Sequence, residues 1–208
     1  EKFMKKYIAI AVVIVLALTL FFNGKSTYNS LVTLDQEVEQ SWAKVEVQYQ
    51  RRFDLIPNLK ATVMGYAKHE SQTYENVTRA RAGLTTAYDN ARALEGTSPD
   101  AGAEFERYNQ AQSDLNRAFN VYVNAVREAY PDLKADQQFL NLQAQLEGTE
   151  NRIATERGRY TEAVTAYNLR AKRFPANIWA SIFGFDAKQQ FKADTEAAKA
   201  PKIDFNEL

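Results

Sequence analysis

Hydrophobic positions along this chain follow two different rules. From Ile8 to Phe22 the sequence reads IAIAVVIVLALTLFF, an unbroken apolar run in which only Thr19 is polar. As a helix the run spans roughly 22 Å, and Phe3, Met4 and Tyr7 with snorkelling lysines extend it toward the roughly 30 Å hydrocarbon layer of a bilayer. Farther on, apolar residues recur at alternating spacings of three and four, the signature of one buried helical face. Positions 28, 31, 35, 38, 42, 45, 49, 52 and 56 hold Tyr, Leu, Asp, Val, Trp, Val, Tyr, Arg and Ile. A second such seam runs from Phe105 through Tyr108, Gln112, Leu115, Phe119 and Tyr122 to Val126. A third runs from Phe139 through Leu142, Leu146, Thr149, Ile153, Glu156, Tyr160, Ala163 and Tyr167 to Phe174. Between Val63 and Leu94 the stripe is weaker, marked by Tyr66, Val77, Leu84 and Tyr88.

Prolines punctuate these seams at 57, 99, 131, 175 and 201, and proline inside a helix costs about 3 kcal/mol relative to alanine. The pattern predicts an all-α fold: an N-terminal transmembrane helix in residues 1–25, then an antiparallel up-and-down four-helix bundle in residues 26–173. Its helices are expected over approximately 26–54, 56–94, 99–130 and 134–173. Asp54 ahead of Ile56-Pro57 is a candidate N-terminus for the second helix, and Glu95-Gly96 with Pro99-Asp100 marks a stop and a restart. At Pro57 a continuous helix of some 65 residues is the alternative to a turn. Four matched lengths favour the turn. Residues 174–208 are expected to form an aromatic segment, a short amphipathic turn and a flexible tail.

Charge changes the picture in one respect. The 26 basic and 26 acidic residues cancel, but Lys2, Lys5, Lys6 and Lys25 flank the apolar run, leaving a faintly acidic remainder. Without a basic stripe there is no electrostatic case for nucleic acid as a partner. Three lysines before the span and one after it favour a domain on the outer side of the membrane, with the cytoplasmic side as the alternative. A cleavable signal peptide competes with a retained anchor, but Phe21-Phe22 stand where a cleavage site needs small residues. The absence of cysteine excludes disulfides, thiol nucleophiles and thiolate metal ligation. His69-Glu70 begins like a zinc-protease helix, but Thr73 occupies the place of the second histidine. No phosphate loop, nucleophile elbow or dinucleotide fingerprint occurs. The sequence therefore supports no catalytic, metal or cofactor-binding residue and no small-molecule substrate.

Charged residues within the seams need partners. If the first and last helices run antiparallel, residues whose numbers sum to about 200 face each other. That register sets Arg51 and Arg52 beside Glu147 and Glu150, and Glu46 near Arg152 and Arg157. Together with Asp35 and Glu156 these residues are read as a buried ionic layer that fixes helix register. Gly65, Gly83, Gly148 and Gly158 fall inside predicted helices, where close helix approach would account for some of them. In an up-down bundle the fourth helix returns to the membrane face. Trp179, Phe183 and Phe185 are therefore candidates for membrane-interface or partner contact, unless this segment folds back to cap the bundle.

Several segments together resemble the bacterial LemA family: Tyr28-Asn29-Ser30-Leu31-Val32, Arg51-Arg52-Phe53-Asp54-Leu55-Ile56-Pro57-Asn58-Leu59, Gly65-Tyr66-Ala67-Lys68-His69-Glu70, Gln145-Leu146-Glu147-Gly148-Thr149-Glu150-Asn151-Arg152-Ile153-Ala154, and Phe174-Pro175-Ala176-Asn177 with Phe183-Gly184-Phe185. The resemblance implies a membrane-anchored, four-helix, up-and-down domain with a turn at Pro57, no cofactor and no enzymatic activity. It also implies a short amino terminus outside and a cytoplasmic domain, opposite to the lysine count. The function expected is a scaffold or adaptor that binds an envelope protein or a second copy of itself. The alternative is an interfacial lipid-sensing or membrane-remodelling protein that uses residues 174–185.

Overall fold

The computed structural model describes residues 2–67, 74–133 and 136–191, which form five helices. They are α1 (Lys2–Ala67), α2 (Glu75–Ala93), α3 (Ala103–Ala129), α4 (Gln137–Lys172) and α5 (Ala176–Phe183). Aromatic and hydrogen-bonded contacts set their directions. Trp42 meets Phe105, Tyr49 meets Tyr108 and Tyr66 meets Tyr130, so α1 and α3 run parallel. Phe53 meets Tyr88 and Lys60 donates to Thr85, while Arg52 meets Glu150 and Arg170 meets Ser30, so α2 and α4 run antiparallel to α1. The bundle is up-down-up-down.

The expected turn at Pro57 does not occur. α1 is one helix of 66 residues with Pro57 inside it, so no second helix starts at 56, and α2 begins only at Glu75. Pro57 itself is exposed, while Phe53, Ile56, Leu59 and Val63 on the opposite face are buried. Burying four such side chains contributes about 1.5–3 kcal/mol each, which outweighs the roughly 3 kcal/mol cost of the proline. Asn58 also donates to the carbonyl of Asp54, and Asp54, the expected N-cap, instead accepts from Gln50 within the same helix.

Other helix ends have local causes. Gly96 takes a left-handed φ of 81° just past the end of α2, where a side chain would be strained. Asp136 caps α4 by accepting the Phe139 N–H at 2.9 Å. Two core clusters stack along the axis. The distal one is built from all four long helices around Phe53, Leu84, Phe119 and Leu146. The proximal one joins α1 and α4, through Leu31, Val38, Trp42, Tyr160 and Val164, to Phe105 and Tyr108 at the start of α3 and to Ala180 of α5.

In the proximal half, where α2 does not reach, residues 185–191 take its place as an extended strap. Instead of the short amphipathic turn expected after 185, the strap lies extended along α4. Lys188 N–H donates to Asn168 Oδ1, Asn168 donates to Lys188 O, Tyr160 donates to Gln189 O and Gln190 donates to Thr165. Phe191 then fits among Trp42, Phe105 and Tyr160, with the Arg157 guanidinium 4.2 Å from its ring centre.

Candidate functional site

Two regions hold some of the residues singled out by sequence: a polar centre at mid-bundle and an apolar base where α1 enters the bundle. At the centre, Arg52 is 2% exposed. Its Nη1 donates to Glu150 Oε1 at 2.8 Å, and its Nη2 donates to the Gln112 side-chain oxygen. The guanidinium also lies over the Tyr49 ring at 5.3 Å. A polar cavity of about 260 Å³ opens beside it, lined by Tyr49, Gln112, Asn116, Asn120 and Arg157 among others. Arg52 and Gln112, the two polar residues at seam positions 52 and 112, thus meet each other as well as Glu150.

The remaining members of the expected ionic layer lie elsewhere. Arg51, Glu147 and Arg152 are exposed, and Glu147 accepts from Gln143 on its own helix. Glu156 pairs with Arg159 at 2.7 Å, a local contact on α4. Glu46 sits between Trp42 and Glu95, where burial raises its carboxyl above the usual range against a lowering hydrogen bond from Trp42. Asp35 pairs with Lys188 of the strap at 2.8 Å, and Asp100 approaches the same ammonium at 3.2 Å. Burial alone would pull Lys188 down, but the hydrogen bonds to Asp35 and Asp100 outweigh it and hold the ammonium above the ordinary lysine value.

The base is assembled on Gly24. A side chain's first carbon at that position would come within 3.1–3.2 Å of the Trp179 ring, so any side chain there presses on Trp179. Tyr28, one turn farther on, packs edge-on against Phe183 and Phe185. Trp179 and Phe185 are thus half-buried against α1, and Phe183 retains an exposed face. Arg170 completes the base by donating to Ser30 and Thr27. The glycines expected to permit close helix approach do not do so. Gly65, Gly83, Gly148 and Gly158 have nothing within 4 Å of the added carbon, and Gly24 is the one helical glycine pressed by a neighbour. His69 and the tail after residue 191 lie outside the described residues. Among the described residues no group of three or more His, Asp or Glu is placed to hold a metal.

On the distal face a groove runs between α2 and α3. Its floor is Ala80, Gly83, Ala118 and Ala125 with the exposed Val121, and its rim carries Arg79, Asp114, Arg117 and Glu128.

An apolar helix, long and apolar enough to cross a membrane and almost wholly exposed over that stretch, continues without a break into the bundle. That combination defines a membrane-associated helical-bundle protein. The chain belongs to the LemA family, whose profile matches residues 41–205. It is similar to the magnetosome proteins MamQ 2 and MamQ 1 of Paramagnetospirillum magneticum, each 26% identical over 176 residues, covering 79% of this chain and 64% of the relative. The magnetosome protein MamQ of Magnetospirillum gryphiswaldense is 24% identical over the same shares. The chain therefore spans just under two thirds of the length of these curated relatives.

Proposed function

We propose that this protein is a single-pass membrane-anchored scaffold that acts by protein–protein binding, with a second copy of the chain as the occupant of the α2–α3 groove. The observation that carries this reading is the groove's small-residue floor at a fixed height. Gly83 stands in a helix interior with open space beside it, although glycine there costs about 1 kcal/mol relative to alanine. The groove lies level with about residue 60 of α1, roughly 55 Å beyond Phe22 at about 1.5 Å per residue. At that height lipid is out of reach. Two copies anchored in one membrane bring the same groove to the same level, and a rim carrying both signs suits a two-fold axis, with Arg79 paired to Glu75 and Arg117 to Asp114 within their own helices.

The lack of native cysteine makes the test clean. Val121→Cys in membranes is expected to give a cross-linked dimer, while Leu169→Cys, on the exposed face of α4, stays monomeric. No adduct at Val121, or equal adducts at both positions, counts against the reading. For orientation, the three lysines ahead of the span support an outward domain in the cytoplasmic membrane, and a compartment-specific reporter fused after Leu208 decides it. Reporter activity confined to the cytoplasm reverses that assignment.

A further inference from the structure

α5 is an eight-residue helix with apolar residues both toward the bundle and along Ile178 and Ile182, and with Asn177 and Ser181 exposed between them. Ala176 and Ala180 are buried against the bundle, and Trp179 lies on Gly24. The outward side presents Ile178, 50% exposed, and Ile182, 64% exposed, with Phe174, 81% exposed, four residues ahead of Ile178. Residues 174–185 contain no charge. Left in water, three such side chains keep apolar surface unburied, and an exposed apolar patch of this kind marks a contact surface.

Its position identifies the occupant. Because Trp179 is pressed onto Gly24, α5 is level with a residue only two beyond Phe22, about 3 Å farther along the helix axis. Phe21 and Phe22 are themselves exposed apolar residues at the end of the run that is apolar enough for a membrane. The α5 patch therefore continues the lipid-facing surface of α1 sideways. Lys25, Lys172 and Arg173 are exposed around the same end of the bundle, the arrangement by which an interfacial helix pairs an apolar face with lipid phosphates.

We infer that α5 is a second, interfacial membrane contact that seats Phe174, Ile178 and Ile182 in the boundary between headgroups and acyl chains. The roles within the aromatic segment thereby divide. Trp179 clamps α5 to α1, and Phe174, Ile178 and Ile182 enter lipid. Two points of attachment, the span and α5, fix the rotation of α1 about its own axis. The inference rests on α1 entering a bilayer and is independent of what fills the α2–α3 groove.

Single cysteines at Ile178, Ile14 and Val121 in the full chain, each carrying an environment-sensitive fluorophore, test it in vesicles of phosphatidylcholine and phosphatidylglycerol with brominated acyl chains. The Ile178 label is expected about 5–10 Å below the headgroup surface, quenched by bromines near the interface, with Ile14 quenched by deeper bromines and Val121 unquenched. Gly24→Leu, which forces Trp179 away, is expected to lower quenching at Ile178 while leaving Ile14 unchanged. Quenching at Ile178 no greater than at Val121, with Ile14 still quenched, overturns the interfacial role of α5 alone. Loss at both Ile178 and Ile14 overturns the anchor and the inference together.

Discussion

Truncating Arg52 to alanine removes the cation from the centre of the bundle and leaves its acceptors behind. Glu150 loses the 2.8 Å contact and Gln112 loses its charged donor. Breaking a buried ion pair from one side costs about 3–5 kcal/mol, because the remaining charge is stranded in a medium that solvates it poorly. Two structural details place the expected loss at the lower end. The Glu150 side chain is already 21% exposed, and the polar cavity beside Arg52 admits water once the guanidinium is gone. Loss of the guanidinium's contact with the Tyr49 ring acts in the other direction. A destabilisation of about 3 kcal/mol corresponds to a fall in Tm of about 6–12 °C for a domain of this size. The assay is thermal unfolding of the full chain in detergent, followed by helical circular dichroism. Arg52→Met combined with Glu150→Leu supplies the control, since removing both charges is often neutral where removing one is not. The double variant is therefore expected to melt above Arg52→Ala. An Arg52→Ala protein that melts within about 2 °C of the parent would refute the reasoning.

Three further outcomes follow from the same geometry. Pro57→Ala restores an N–H inside an unbroken, solvent-facing stretch of α1 and should stabilise the protein by about 2–3 kcal/mol in urea unfolding; a loss of stability would mean that the chain turns at 57. Gly158→Ala, whose added carbon meets nothing, should raise stability by about 0.5–1 kcal/mol in the same assay, and a fall would show that the site is crowded. On the alkaline side, Lys188 is held above its ordinary value and burial pushes the Tyr122 phenol up to about 12. In both cases the folded state keeps a proton that the unfolded state releases, so their stabilisation is complete below about pH 10 and is lost as pH rises through the folded values. Tm measured between pH 9 and 12 should fall steeply, and less steeply in Lys188→Met; identical slopes would separate Lys188 from the strap's stability.

The parts of this fold that were legible in the sequence are those that repeat. Alternating three- and four-residue spacings identified the seams of α1, α3 and α4, and the antiparallel register was enough to set Arg52 opposite Glu150. Interactions without a period were not legible. Asp35 sits in the α1 seam like Arg52, but its partner Lys188 lies in an extended strap after the last helix, reached only because Asn168 and Tyr160 hold the strap's backbone. Pro57 misled for a related reason. Its cost is local and visible, whereas the compensating burial of Phe53, Ile56, Leu59 and Val63 depends on three other helices. In α5 the sequence marks the aromatic residues, but the side that faces the bundle is the one with Ala176 and Ala180, beside the seat of Trp179 on Gly24, more than 150 residues earlier in the chain.

The continuity of α1 through Pro57 gives the architecture mechanical consequences that a turn would have removed. A helix of 66 residues extends for roughly 100 Å, and its upper half is braced along most of its length by α4. Rotation imposed at the membrane is then transmitted to the distal four-helix segment, because no loop intervenes to absorb it. At the base a single close contact, the Trp179 ring on Gly24, joins α5 to α1, supported by Tyr28 against Phe183 and Phe185. The strap ties the same two helices again one level higher through Lys188 and Phe191. A surface held far from the membrane can find its counterpart on a second copy only if both copies present it at one height and in a defined direction. In the self-pairing proposed above, the uninterrupted helix would supply the height and the α5 clamp the direction. A larger side chain at Gly24 should therefore disturb cross-linking at Val121, although the two positions lie at opposite ends of the bundle.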